Sequence, residues 1–161
     1  MTDIALRFDQ ARWSADLAIE GGGLATDDGL VTAIMISLFT DARAREDDPL
    51  PYPGADRRGW WGDTANVNDN DAIGSRLWLL EREKLTEATR NRARDYVREA
   101  LAWLTEDGIA RDVTIDVGIL PISTAHPLGA LTIGISLTRP DGPARQRYDF
   151  TWTATARSIA A

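Results

Sequence analysis

The sequence predicts an α+β fold, a small antiparallel sheet packed on two main helices with hairpins near both ends of the chain. Three observations carry that prediction. Residues 4–19 and 113–153 alternate apolar and polar side chains with the period of a strand. Residues 30–39 and 93–104 repeat apolar side chains with the period of a helix. Turn and cap residues stand between these stretches, where the chain has to reverse.

At the start, Ile4, Leu6 and Phe8 alternate with Ala5 and Arg7. Trp13, Ala15, Leu17 and Ile19 then alternate with Ser14, Asp16 and Ala18, and Asp9-Gln10 is the turn candidate of a hairpin. Gly21-Gly22-Gly23 breaks the second strand; without a lysine or strand-to-helix spacing it is not a phosphate loop. Thr26-Asp27-Asp28 signals a helix start, because short acceptor side chains satisfy the first free N–H groups and carboxylates suit the positive end of the helix dipole. That helix is expected to run to about Ala44, with Leu30, Ile34 and Leu38 beside Val31, Met35 and Phe39 as a wide apolar surface.

Ser75 is expected to cap a short helix through Arg82, with Leu77, Trp78 and Leu80 on its apolar side. Thr86 reads as the cap of the longest helix, which ends near Asp107 before Gly108. Its stripe of Ala93, Tyr96, Val97, Ala100, Leu101 and Leu104 faces a core. The rest is strand: Val113, Ile115, Val117 and Ile119, then Leu131, Ile133, Ile135 and Leu137, each set alternating with small or polar residues. Pro140-Asp141-Gly142 is a turn signal, so the last two strands form a hairpin. The final strand carries Tyr148, Phe150 and Trp152 on one face and Asp149, Thr151 and Thr153 on the other.

Composition narrows the function. A chain of 161 residues that is 43% apolar is expected to be one domain over residues 1–161. The absence of cysteine excludes a disulfide framework and a thiolate metal site, and fits assembly in a cytoplasm. Met1-Thr2-Asp3-Ile4 opens no signal peptide, and the apolar runs fall far short of the roughly 20 residues that span a bilayer, so no membrane role is expected. A net charge of −7, with clusters at Asp27-Asp28 and Glu46-Asp47-Asp48, works against nucleic-acid binding, which relies on basic patches. The basic run Arg90 to Arg98 reads as a solvated helix face.

One long irregular stretch remains, at about 47–74, with Pro49, Pro51 and Pro53 ahead of Arg57-Arg58-Gly59-Trp60-Trp61-Gly62-Asp63. Adjacent tryptophans cannot share one face of a regular element, so this block is a turn or loop, freed by its glycines. Its tryptophans either anchor an interface or close the protein's own core. Other chemistry is poorly served. His126 is the only histidine and sits beside Pro127 in a loop. No serine occupies a nucleophile elbow, and Asn66 to Asp71 fails the calcium-loop frame because Ile73 and Leu80 fall on ligand positions. Catalytic residues, metal and cofactor are therefore each expected to be none. Two rival readings stay open: a muramidase-like enzyme using a pair among the many carboxylates, and a carbohydrate- or peptide-binding module using Trp60 and Trp61 as a platform.

Four blocks in this order, Leu24-Ala25-Thr26-Asp27-Asp28-Gly29-Leu30, Ile36-Ser37-Leu38-Phe39-Thr40-Asp41-Ala42-Arg43-Ala44, Arg58-Gly59-Trp60-Trp61-Gly62-Asp63 and Gly74-Ser75-Arg76-Leu77-Trp78-Leu79-Leu80, resemble the tail baseplate protein of Mu-like phages. That family is related to a wedge subunit of T-even phage baseplates once described as a lysozyme. The resemblance spans roughly Ile4 to the final strand and implies a virion protein of a contractile tail. Its implied role is structural, with other wedge and hub proteins and the tail sheath protein as partners. In the wider family a Glu-Pro-Arg motif follows the central helix and meets neighbouring subunits. This chain has none, and by position Arg57 or Arg58 could take the arginine's part. A likeness to the sheath's strand-exchanging domain implies that a terminal hairpin, the one carrying Thr151 and Thr153, extends a partner's sheet.

Overall fold

In the computed structural model, which describes residues 3–9, 14–27, 30–65, 72–140 and 145–153, the chain begins with six short strands: β1 (Asp3–Ile4), β2 (Leu6–Asp9), β3 (Ser14–Leu17), β4 (Ile19–Glu20), β5 (Gly23–Leu24) and β6 (Thr26–Asp27). They pair antiparallel as β1 with β6, β2 with β3 and β4 with β5. The three ladders meet in a ring of backbone hydrogen bonds. Ala5 N–H donates to Ala25 O at 2.9 Å, Ala25 N–H to Ala18 O at 2.8 Å, and Ala18 N–H to Ala5 O at 2.9 Å.

The expected hairpin is present as β2 and β3, but Asp9 is a strand residue paired with Ser14 rather than a turn residue, while Gln10 and Trp13 lie outside the described residues. The glycine run makes a second hairpin instead of only ending a strand. Gly21 and Gly22 take φ of 59° and 84°, the paired positive values that a tight two-residue turn needs, and bring Ile19 opposite Leu24.

Helix α1 covers Val31–Phe39, shorter at both ends than the sequence predicts. Thr26 and Asp27 do not cap it, because they pair with Ile4 and Asp3. Asp28 lies outside the described residues. Leu30 stands at the N-cap with no side-chain hydrogen bond. At the other end Thr40 turns extended, with ψ 140°, and its carbonyl accepts the N–H of Ser75 at 2.9 Å while Asp41 bridges Ser75. Pairing with a distant segment stops the helix five residues before Ala44.

The segment after Ser75 is a 3₁₀ turn, Leu77–Leu80, and all four of its side chains are buried rather than one side only. Helix α2 (Glu87–Ala100) starts as predicted, with the Thr86 side chain accepting the Thr89 N–H at 3.2 Å. It ends at Ala100, earlier than expected; the chain turns at Leu101 and resumes as α3 (Trp103–Glu106), before Gly108 at φ 70°. The basic face of α2 carries ion pairs, Arg90 with Glu87, Arg98 with Asp95 and Arg92 with Glu83.

Strands β7 (Asp112–Leu120), β8 (Ala130–Thr138) and β9 (Gln146–Trp152) form one antiparallel sheet with β8 in the middle, which establishes the α+β class. The registers run Ile115↔Ile135↔Tyr148 and Ile133↔Phe150. Residues 141–144, where the Pro140-Asp141-Gly142 turn is expected, lie outside the described residues apart from Pro140 itself. The core forms where α1 and α2 meet one face of this sheet. Leu131, Ile133, Ile135 and Leu137 of β8 are fully buried with Ile34, Leu38, Leu77, Leu80, Ala93, Val97, Leu101 and Leu104. Phe39 meets Phe150 edge-on, with ring centroids 5.8 Å apart. Each large side chain withdrawn from water in this way contributes about 1.5–3 kcal/mol.

Candidate interface loop

The chain leaves the core at Ala44, whose N–H donates to Arg57 O at 2.8 Å. Between these points residues 45–57 make an irregular loop whose ends lie side by side. Arg57 closes it from within: its guanidinium donates to the carbonyls of Arg45 and Glu46. Inside the loop the Asp48 carboxylate accepts the Arg45 N–H at 2.8 Å.

Arginines hold this loop to the body. Arg76, only 8% exposed, lies 4.6 Å over the Tyr96 ring and donates to both oxygens of Asp48, at 2.7 and 2.8 Å, and to Glu99 at 2.6 Å. Arg45 reaches the other oxygen of Glu99 at 3.0 Å. A second clamp is centred on Arg58, which binds Asp41 at 2.8 Å and both oxygens of Glu81 at 3.1 and 3.2 Å. Its guanidinium also lies 4.4 Å over the Trp78 ring, and the Trp78 indole N–H donates to Ala42 O at 2.8 Å. Arg82 lies 4.6 Å over the Tyr52 ring of the same loop.

Burial of Asp48 works to raise its pKa. The hydrogen bonds and charge of Arg76, with the N–H and charge of Arg45, outweigh that effect and hold the carboxyl below the usual range. For Arg76 and Arg58 burial works to lower the pKa; the hydrogen bonds and charges of Glu99 and Asp48, and of Glu81 and Asp41, raise it instead. Asp48, Arg58 and Arg76 are fixed charges at neutral pH.

The backbone next turns sharply to present the two tryptophans. Arg58 takes φ 51° and Gly59 φ 109°; Gly59 lies so close to Arg43 that a Cβ there would stand 2.9 Å from the Arg43 Cβ. A 3₁₀ turn, Trp61–Ala65, follows, opened by the Asp63 N–H donating to Trp60 O at 3.1 Å. The Trp60 ring lies over Gly62, where an added Cβ would fall 2.3 Å from ring carbons. The Asp63 carboxylate accepts the Ile73 N–H at 3.2 Å. The result is a pair of indoles with centroids 5.5 Å apart and planes tilted by 47°. Trp60 is 38% exposed and Trp61 78%.

Of the predicted site, Arg57, Arg58, Gly59, Trp60, Trp61, Gly62 and Asp63 thus come together as one built loop. The tryptophans do not close the core; among the described residues Trp78 and Trp152 are the buried indoles. Arg57 and Arg58 bind within the chain, so the loop turns its arginines inward and its indoles outward. Thr151 and Thr153 lie on a different element. Thr151, in β9, pairs with Thr132 of β8; among the described residues no strand pairs the other side of β9, and Thr153 directly follows it. The clamp residues Asp41, Asp48, Arg76, Glu81 and Glu99 were not legible as a site. The one local signal is Arg76 itself, a single charge inside Ser75-Arg76-Leu77-Trp78-Leu79-Leu80, where burial forces pairing.

His126 has its backbone N–H on Ser123 O and Oγ in a tight loop. Asn66 to Asp71 lie outside the described residues, among which no cluster of three His, Cys, Asp or Glu groups could hold a metal ion. No helix among the described residues is long and apolar enough to cross a membrane.

Comparison with known proteins adds a relationship. The family model described as phage protein GP46 matches residues 30–144. The baseplate protein gp46 of Escherichia phage Mu is 46% identical over 142 residues, covering 88% of this chain and 90% of that protein. The Mu-like prophage FluMu protein gp46 of Haemophilus influenzae is 35% identical over 147 residues, covering 91% of this chain and 94% of that protein.

Proposed function

The chain belongs to the phage GP46 family, and from that premise we propose that it is a structural subunit of a contractile phage tail baseplate. In this reading residues 1–161 form one wedge-type domain. It helps assemble the wedge near the hub, meets other wedge and hub proteins, and takes part in attaching the tail sheath. It is assembled in the host cytoplasm and resides in the virion. The observation that carries the reading is the likeness to the Mu baseplate protein over nearly the whole of both chains.

The loop geometry supports a role in contacts between proteins. Indoles held outward on a clamped backbone supply apolar area at low entropic cost, as interface anchors do. The position of β9 at the edge of the sheet among the described residues, with Thr151 in the strand and Thr153 just after it, supports strand addition by a sheath or wedge partner. Neither Asp48 nor Asp149 fits a catalytic acid. A glycosidase acid needs a raised pKa in an apolar pocket, whereas Asp48 is held low by Arg76 and the exposed Asp149 low by Arg147. A flat sugar platform is poorly matched by rings tilted at 47°.

The test is complementation of a phage lacking this gene. Trp61→Ala is expected to fold yet yield few complete tails, since loss of an anchor costs about 2 kcal/mol or more of binding. Proline at Thr151 or Thr153 removes a backbone donor and is expected to weaken sheath attachment more than stability. Normal sheathed tails from all three variants would remove the contact assignments, and saturable peptidoglycan hydrolysis by the purified protein would remove the structural reading.

A further inference from the structure

We infer that residues 45–58 form a charge-latched unit that opens and closes as one body while the sheet stays folded, carrying the Trp60–Trp61 turn with it. Three features of the structure lead there. The loop is closed on itself, because Ala44 N–H meets Arg57 O and the Arg57 guanidinium binds the carbonyls of Arg45 and Glu46. A compact loop with joined ends moves as a unit rather than fraying from one side.

Its apolar hold on the body is small: Leu50 packs against the core, and Ala44 is buried in the core just before the loop begins. What fastens it instead is a set of side-chain clamps: Arg76 on Asp48 and Glu99, Arg45 on Glu99, Arg58 on Asp41 and Glu81, and Arg82 on Tyr52. The clamps differ in kind. Asp48 and Arg76 are shielded from water, whereas Glu99 and Asp41 are about half exposed. Water can therefore replace the outer contacts first and leave the Arg76–Asp48 pair as the last fastening. Segments with few apolar contacts open locally, at a fraction of the free energy of global unfolding. The latch rests on these clamps, whatever partner the tryptophans meet. Its consequence is that the indole pair is presented in one orientation when the latch is closed and shifts with the loop when it opens.

Hydrogen–deuterium exchange by mass spectrometry on the full chain tests this at fixed pH, comparing the wild type with Asp48→Asn and Glu99→Gln. Peptides covering residues 44–62 are expected to exchange roughly tenfold faster in Asp48→Asn and several-fold faster in Glu99→Gln, with β8 (residues 130–138) unchanged. In the wild type, raising salt from about 0.05 to 0.5 M is expected to speed the loop and not β8, because screening weakens the half-exposed contacts. Exchange that rises equally in the loop and β8 would show that the loop opens only with the whole fold. Loop exchange insensitive to both substitutions and to salt would show that the clamps do not hold it. Either result overturns the latch.

Discussion

Strand β8 and the 45–63 loop are held in opposite ways. The strand is pinned by water: Leu131, Ile133, Ile135 and Leu137 have no exposure, and a strand lies on each side. The loop is pinned by charge, through Arg76 on Asp48 and Glu99 and Arg58 on Asp41 and Glu81. Burial of apolar area is non-directional and tolerates small shifts, but it ties a segment to the stability of the whole core. A guanidinium clamp is directional and fixes a geometry, yet it can release without emptying the core. The molecule therefore separates a part that must stay folded from a part that presents a surface.

The largest effect is expected from breaking the apolar side. Ile133→Ala or Ile135→Ala removes a fully buried branched side chain of β8 from the core. Such truncations cost about 2–5 kcal/mol, which for a chain of this size lowers the melting temperature by roughly 10 °C. Thermal unfolding followed by circular dichroism should lose all signals together. A loss confined to the loop would contradict the division drawn above.

Next comes the charged side. Arg76→Met keeps most of the volume against Tyr96 but leaves Asp48 without the Nη1 donor that meets both its oxygens. Removing one partner of a buried pair costs about 3–5 kcal/mol. Here the value is expected nearer 2 kcal/mol, since Glu99 is half exposed and screened. Urea unfolding should show the loss, and proteolysis in the native state should cut residues 45–58 well before β7 or β8.

This contrast also explains what could be read in advance. The alternation of β7, β8 and β9 and the Thr86 cap of α2 are local patterns, and each appears as expected. The ends of α1 were misplaced because distant partners overrule local signals. Ile4 and Asp3 draw Thr26 and Asp27 into a strand, and Ser75 draws Thr40 and Asp41 out of the helix. The Trp-Trp block could be recognised as a loop. Its outward display could not, because it depends on Asp41 from just past the end of α1 and on Trp78 and Glu81 from the 3₁₀ turn and its C-cap gathering around Arg58. A lone aspartate in sequence looks the same whether water or an arginine meets it.

A third, smaller effect is a pH dependence restricted to the loop. The Asp48 carboxyl, faced by Arg76, the Arg45 N–H, and Glu99 and Tyr96 of α2, has its pKa depressed in the folded state. A depressed carboxylate contributes stability that is complete above its unfolded value of about 4 and is lost as pH falls through the folded value. Loop opening should therefore increase below about pH 4 and stay flat between pH 5 and 8. In Asp48→Asn this part of the acid dependence should disappear. An unchanged acid profile in that variant would show that Asp48 is not the titrating latch.

The smallest effect on stability is expected where the exposure is greatest. Trp61 is 78% exposed and its ring touches Trp60 at a tilt, so Trp61→Ala removes little buried area and leaves the Arg58 clamp and the Gly62 turn in place. Surface substitutions of this kind change stability by no more than about 0.5 kcal/mol. Trp60→Ala should cost more, because the Trp60 ring lies directly on Gly62 and is partly covered. The comparison of the two variants sharpens the division within the loop itself: Trp60 supports the turn and Trp61 is displayed by it. Matched urea titrations should place Trp61→Ala within error of the wild type and Trp60→Ala below both. If Trp61→Ala is the more damaging of the two to the isolated protein, the outer indole is holding the fold, and its exposure has no bearing on partners.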